Sequence, residues 1–199
     1  MDPFNRESYH VRPLRALVLI GLLPAALAAC GDDPLAPQDW VAAPDSITLF
    51  SASRVELVAL PSAFDVVSGI RLAIEDPGAT GQWDVLLAEV SGGLVLVPAA
   101  AFEVLGSRAR VAFMEDQEFD SLVRAPGDTA AYSADPVPVH LGGVYVLRSR
   151  RTSCQFFGSG SQYAKIEVVE VNAAAGNISF RIIRNPNCGD RDLVPPDDR

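Results

Sequence analysis

The stretch Tyr163-Ala164-Lys165-Ile166-Glu167-Val168-Val169-Glu170-Val171, followed after Asn172 to Asn177 by Ile178-Ser179-Phe180-Arg181-Ile182-Ile183-Arg184, decides the fold. In its first arm Ile166 and Val168 point away from Lys165 and Glu167. In its second arm Ile178, Phe180 and Ile182 share one side. A hydrophobic repeat of two residues belongs to a half-buried strand, because successive side chains alternate between the faces of a sheet. The connecting residues, with Gly176 among them, have turn composition. The pair reads as an antiparallel hairpin with one apolar face, and such a face needs a second layer to cover it. Lys165 then reads as an outward strand position.

Similar signals recur upstream. Ile47 to Phe50 reads as a strand, and Val55 to Leu60 is a further apolar run stopped by Pro61. Phe64 to Val67 and Ile70 to Ile74 flank Gly69, and Asp76-Pro77-Gly78 ends the second of them with turn chemistry. Trp83 to Val90 and Leu94 to Val97 flank Ser91-Gly92-Gly93 as a hairpin, ended by Pro98. Arg108 to Met114 and Val144 to Arg148 are further strands, with loop over Ala125 to Pro138 and a hairpin loop over Gly158-Ser159-Gly160-Ser161. Phe119, Leu122 and Val123 have helical spacing, so one short helix is expected over Asp116 to Val123. No repeat of solenoid length occurs. The fold class is all-β: an antiparallel sandwich or barrel-like single domain with at most one short helix.

The N-terminus carries a different signal. Arg12 and Arg15 stand at the start of an apolar run from Leu14 to Ala29, which is closed by Leu27-Ala28-Ala29-Cys30. Basic residues, an apolar segment and small residues before a cut form a secretory leader. The run is short for a membrane span of about 20 residues and contains Pro24. Cleavage after Ala29 in a plain secretory leader is the rival reading. The four residues resemble a bacterial lipobox, which implies cleavage before Cys30 and its acylation. Two or more chains on Cys30 would give stable anchoring. Gly31 stands where an inner-membrane retention signal would place Asp. The expected location is the cell envelope, at the outer membrane where the cell has two. The reading divides the chain into a leader over 1–29, an acylated Cys30 with a tether over 30–45, a β-rich domain over 46–188, and an acidic disordered tail over 189–199. Trp40, within the tether, is either an early contact with the domain or a membrane-interface residue.

Removing 29 of 199 residues leaves 170, enough for one domain. Arg6, Arg12, Arg15, Asp2 and Glu7 go with the leader, which moves the net charge from −9 to −10. So acidic a chain repels nucleic acid and anionic lipid headgroups. His140 and Met114 become the only histidine and methionine, and Cys154 and Cys188 the only free thiols. Two thiols in an exported protein are expected to form a disulfide, here across the open end of the C-terminal hairpin. A closed zinc site wants four ligands, and Cys154, Cys188 and His140 make three, so no metal site is expected.

Catalytic signatures are weak. His140 precedes a strand without a G-x-S-x-G elbow elsewhere in the chain. Glu115, Asp116, Glu118 and Asp120 read as a solvated face and lack the spacing of a calcium loop. No catalytic residue is expected, and the chain reads as a non-enzyme.

Three features together resemble the HmuY-like family of bacterial haem-binding lipoproteins. These are the lipobox and acidic tether, the strand Trp83-Asp84-Val85, and the ending Val144-Tyr145-Val146-Leu147-Arg148, Tyr163-Ala164-Lys165-Ile166 and a last strand bearing Phe180. The resemblance spans Ser46 to Arg184 loosely. It implies an all-β domain that captures haem, or another flat apolar ligand, through axial side chains. His140 and Met114 are the residues this chain offers for those positions. Neither matches a ligand position of the family. Without a small ligand, the chain reads as an envelope structural or interaction module whose partner is another envelope protein. The plainer expectation for the motif residues is also definite: Trp83 in the core, Asp84 accepting hydrogen bonds near a turn, and Tyr145 and Tyr163 burying their rings with their hydroxyls satisfied at the rim.

Overall fold

A computed structural model describes residues 40–41, 45–102, 106–154 and 158–196, all within one compact unit over 37–199. The leader, Cys30, most of the tether and residues 197–199 lie outside the described residues. Strands are numbered in chain order. One five-stranded sheet runs β1 (Asp45–Phe50), β12 (Asn177–Asn185), β11 (Tyr163–Asn172), β8 (Val144–Arg148), β6 (Arg110–Phe113). The other runs β3 (Ile70–Leu72), β2 (Ala63–Asp65), β4 (Val85–Val90), β5 (Gly93–Pro98), β7 (Val137–Pro138). A separate ribbon pairs β9 (Thr152–Cys154) with β10 (Gly158–Gly160). Every pairing is antiparallel, and among the described residues the only helical elements are single 3-10 turns. The all-β antiparallel class is therefore found, in its sandwich form.

The C-terminal hairpin is the centre of the first sheet. Ile166, Val168, Ile178, Phe180 and Ile182 all face the core, as their alternation requires. They meet Phe64 and Val66, Val85 and Leu87, and Leu94 and Leu96 from the facing sheet. The rings of Phe64 and Phe180 meet edge to face at 6.3 Å. Each such side chain contributes roughly 1.5–3 kcal/mol by leaving water. At the β4–β5 turn, Ser91 and Gly92 both take positive φ, 53° and 81°. A two-residue hairpin loop needs this to match the twist of its strands.

Both outer faces are covered as well. Ala112, Val144 and Val146 lie under Phe119, Leu122, Ala125, Tyr132 and Leu193, which come from loops. Behind the second sheet, Trp83 packs with Ala63, Leu86, Val95, Val97 and Ala109.

Four expectations are corrected by this layering. The segment Asp116 to Val123 is a set of turns rather than a helix: its one helical bond is Leu122 N–H to Glu118 C=O, and Asp116 has φ +57°. Its apolar residues are spaced to reach down onto a sheet. The run Val55 to Leu60 is a 3-10 turn followed by further turns, with Val55, Val58 and Leu60 exposed, because no strand lies beside it. Gly158–Gly160 is a strand, since the backbone pairs with Thr152–Cys154. The tail is ordered through Pro196: Leu193 is fully buried, and its N–H donates to Val123 C=O at 2.8 Å. Leu193 holds the tail because it fills the outer apolar layer. Trp40 is buried, which favours the domain contact.

Candidate functional site

Of the residues singled out in the sequence, the disulfide pair is brought together. Cys154 and Cys188 are bonded, with Cα atoms 5.6 Å apart. The bridge ties the β9–β10 ribbon to the exit of β12. Gly160 crosses it so closely that a Cβ there would lie 2.9 Å from both sulfurs.

His140 and Met114 are placed differently. Along β6, Val111 enters the core between the sheets while Ala112 enters the outer layer. Phe113 therefore projects to the core side and Met114 to the outer side, where Met114 packs with the cluster of Phe119 and Leu122. The His140 ring lies 5.4 Å from that of Phe113, and Phe113 lies 5.1 Å from Tyr145. The two side chains thus occupy opposite sides of the first sheet and share no described cleft. Tyr145 is buried, donates to Pro138 C=O and accepts from His140 N–H, each at 2.9 Å. Its expected role is structural, and the geometry agrees. Among the described residues, no three His, Cys, Asp or Glu side chains converge as a metal site would require.

Trp83-Asp84 leads to the polar cluster. Trp83 is buried and meets Phe102 edge to face at 5.5 Å. Asp84 is 2% exposed and accepts from the backbone N–H groups of Val66 (2.9 Å) and Arg150 (2.7 Å). Asp65 ends β2 and is 3% exposed. It accepts from Val67 N–H at 2.8 Å and Ser68 hydroxyl at 2.6 Å. Arg150, just past β8, reaches both carboxylates: Nη1 lies 2.8 Å from Asp65 Oδ1 and 3.2 Å from Asp84 Oδ2, and Nη2 lies 3.2 Å from Asp65 Oδ2. Nη1 also donates to Gln82 C=O at 3.1 Å. Since Arg150 leaves the first sheet and both acids belong to the second, the cluster rivets the two sheets at one end.

The electrostatics follow from burial. Desolvation pushes Asp84 up to about 6 despite its bonds to Arg150 and Val66. Desolvation raises Asp65 too, but Arg150, Ser68 and the Val67 N–H outweigh it and hold that carboxyl below the usual range. Arg184 completes the corner by donating to Val66 C=O (3.2 Å) and Val67 C=O (2.7 Å).

Beside this cluster lies a cleft of about 320 Å³, lined by Trp83, Ala99, Ser107, Arg108, Arg150 and Arg151, with Gly81 and Gly106 at its walls. Sequence reading singles out Trp83 and Asp84 and misses Asp65, Arg150 and the cleft. A usable signal exists in Asp65-Val66-Val67-Ser68-Gly69, an Asp followed by turn partners, and in the basic run Arg148-Ser149-Arg150-Arg151. The burial of Lys165 is missed as well. It is 1% exposed and donates to Phe119 C=O (2.8 Å) and Leu122 C=O (2.9 Å), because the face read as outward is roofed by that loop.

Compared with known proteins, the chain matches no family model, no curated protein and no solved structure.

Proposed function

We propose that this chain is a lipid-anchored, non-catalytic β-sandwich of the cell envelope, held through acylated Cys30 at the outer membrane where the cell has two. The observation that carries the reading is the Cys154–Cys188 disulfide. Such bridges persist in oxidising compartments outside the cytoplasm. With that pair bonded, Cys30 is the one remaining cysteine of the sequence. It sits in Leu27-Ala28-Ala29-Cys30, after a basic and apolar leader. The stapled domain is then cargo on a tether, and its partner would be another envelope component.

The haem expectation receives less support than the reading without haem. Joint axial ligation by His140 and Met114 would need both side chains to converge on one cleft, and they lie on opposite sides of the first sheet.

The test is metabolic labelling of the full chain, expressed in bacteria, with an alkyne analogue of palmitate. The wild type takes up label and sediments with membranes, and Cys30→Ser loses both. Label retained in Cys30→Ser, or an unlabelled soluble wild type, overturns the proposal.

A further inference from the structure

We propose that the cleft beside Arg150 binds a small organic carboxylate with a compact apolar body. This goes beyond anchoring, which says nothing of a ligand. The volume, about 320 Å³, lies at the lower end of small-molecule sites. Among the described residues, three that line the cleft are arginines and none is acidic, in a chain of net charge −9.

Arg150 is held in place before any ligand arrives. Its Nη1 donors go to Asp65, Asp84 and Gln82, and one Nη2 donor goes to Asp65. A guanidinium has five N–H donors, so its Nε–H and one Nη2–H carry no bond among the described residues. Arg151 gives one donor to Ser159 C=O at 2.8 Å. Arg108 and Arg151 are exposed, and among the described residues neither forms an ion pair. Three guanidinium charges set against the two carboxylates behind Arg150 leave one positive charge in excess, which suits a monoanion. The fork of a guanidinium matches the two oxygens of a carboxylate.

Apart from Ser107, the rest of the described lining is apolar. Trp83 and Ala99 contribute hydrophobic surface. Gly81 and Gly106 take positive φ, 72° and 58°, and a Cβ at either would meet nothing within 4 Å. A bare inorganic anion would leave that side unfilled. An organic carboxylate places its charge on the arginines and its body against Trp83.

Fluorine NMR of para-fluorobenzoate with the full chain in detergent tests this, with para-fluorobenzamide as the neutral isostere and inorganic phosphate as competitor. The benzoate resonance is expected to shift saturably at roughly millimolar ligand, the benzamide resonance to stay put, and phosphate to displace little. Arg108→Ala and Arg151→Ala each lower affinity about tenfold, the loss of one charge-assisted contact. Both residues are exposed, so the fold tolerates the changes. Absence of saturable benzoate binding overturns the proposal. Equal binding of the benzamide shows apolar affinity without charge, and displacement by phosphate at equal concentration shows a general anion site. Either result overturns it, as does unchanged affinity in both variants.

Discussion

Replacing Arg150 with Met removes a guanidinium while keeping an apolar stem of similar reach. The hydrogen bonds that disappear are those to Asp65 at 2.8 and 3.2 Å, to Asp84 at 3.2 Å and to Gln82 C=O at 3.1 Å, both acids being 3% exposed or less. Two desolvated carboxylates would then face each other without their cation. Removing one partner of a buried charge pair costs about 3–5 kcal/mol, a large share of the roughly 5–15 kcal/mol that holds a domain folded. The pH dependence has a definite sign. A carboxylate whose folded pKa is raised contributes stability that is fully present below its unfolded pKa and is lost as pH rises through the folded value. Asp84, pushed up to about 6 from 3.8, is of this kind. A carboxylate with a lowered pKa contributes stability present above its unfolded value and lost as pH falls. Asp65 is of that kind, chiefly because Arg150 overcomes its desolvation. In Arg150→Met both acids belong to the first class, so the deficit is small near pH 4 and reaches its full size above roughly pH 7. Urea unfolding with the disulfide intact measures it, as the difference between variant and wild type at each pH. A deficit under about 1 kcal/mol at the higher pH would refute the reasoning, since Arg184 would then be a sufficient partner. A deficit of the same size at both pH values would also refute it, because the loss would be one of packing rather than charge.

Lys165→Ala is expected to cost about 2–4 kcal/mol, from two orphaned carbonyls and a cavity under Phe119. Hydrogen exchange should show the loss concentrated in residues 115–125, and a uniform loss across the domain would contradict the clamp. Gly160→Ala forces a methyl group against Sγ of both Cys154 and Cys188, with 2.9 Å available. A loss of about 1–3 kcal/mol is expected in the oxidised protein, as for overpacking elsewhere. An unchanged melting temperature in that state would show that the ribbon yields freely.

The β11–β12 hairpin is legible in the sequence because one of its faces meets a strictly apolar layer. Ile178, Phe180 and Ile182 alternate with Ser179 and Arg181, and only one register buries them. Lys165 and the 116–123 segment mislead for one shared reason. Alternation identifies which residues leave the core but says nothing about whether a loop returns to cover them. Phe119 and Leu122 have helical spacing by coincidence, and their burial is decided by the sheet beneath them. The tail misleads in the same way, since a single residue, Leu193, anchors an otherwise acidic and proline-bearing segment. At the site, Asp84 is legible as a turn acceptor because it follows Trp83 at the start of a strand. Its partners are not. Asp65 and Arg150 are 85 residues apart in sequence, and only the packing of the two sheets makes them neighbours.

A common device links these misleading signals. A loop without strand partners leaves backbone carbonyls in need of donors, and lysine and arginine are side chains that offer donors alone. Here they are used in that way repeatedly. Lys165 holds Phe119 and Leu122, Arg54 holds Ala173 and Ala174, each at 2.7 Å, and Arg184 holds Val66 and Val67. Arg181 adds an interaction of another kind, its guanidinium lying 4.1 Å from the centre of the Phe119 ring. In an acidic chain with 16 lysines and arginines, several cations are thereby committed to loops and aromatic rings. Arg108 departs from that pattern, and Arg151 follows it only through one donor to Ser159 C=O. They are exposed, unpaired by any carboxylate among the described residues, and gathered with Arg150 around one cleft. Structural need explains Arg150 and one donor of Arg151 but leaves the charges of Arg108 and Arg151 unmatched by any carboxylate among the described residues, which is the physical reason to look for the anion they would hold.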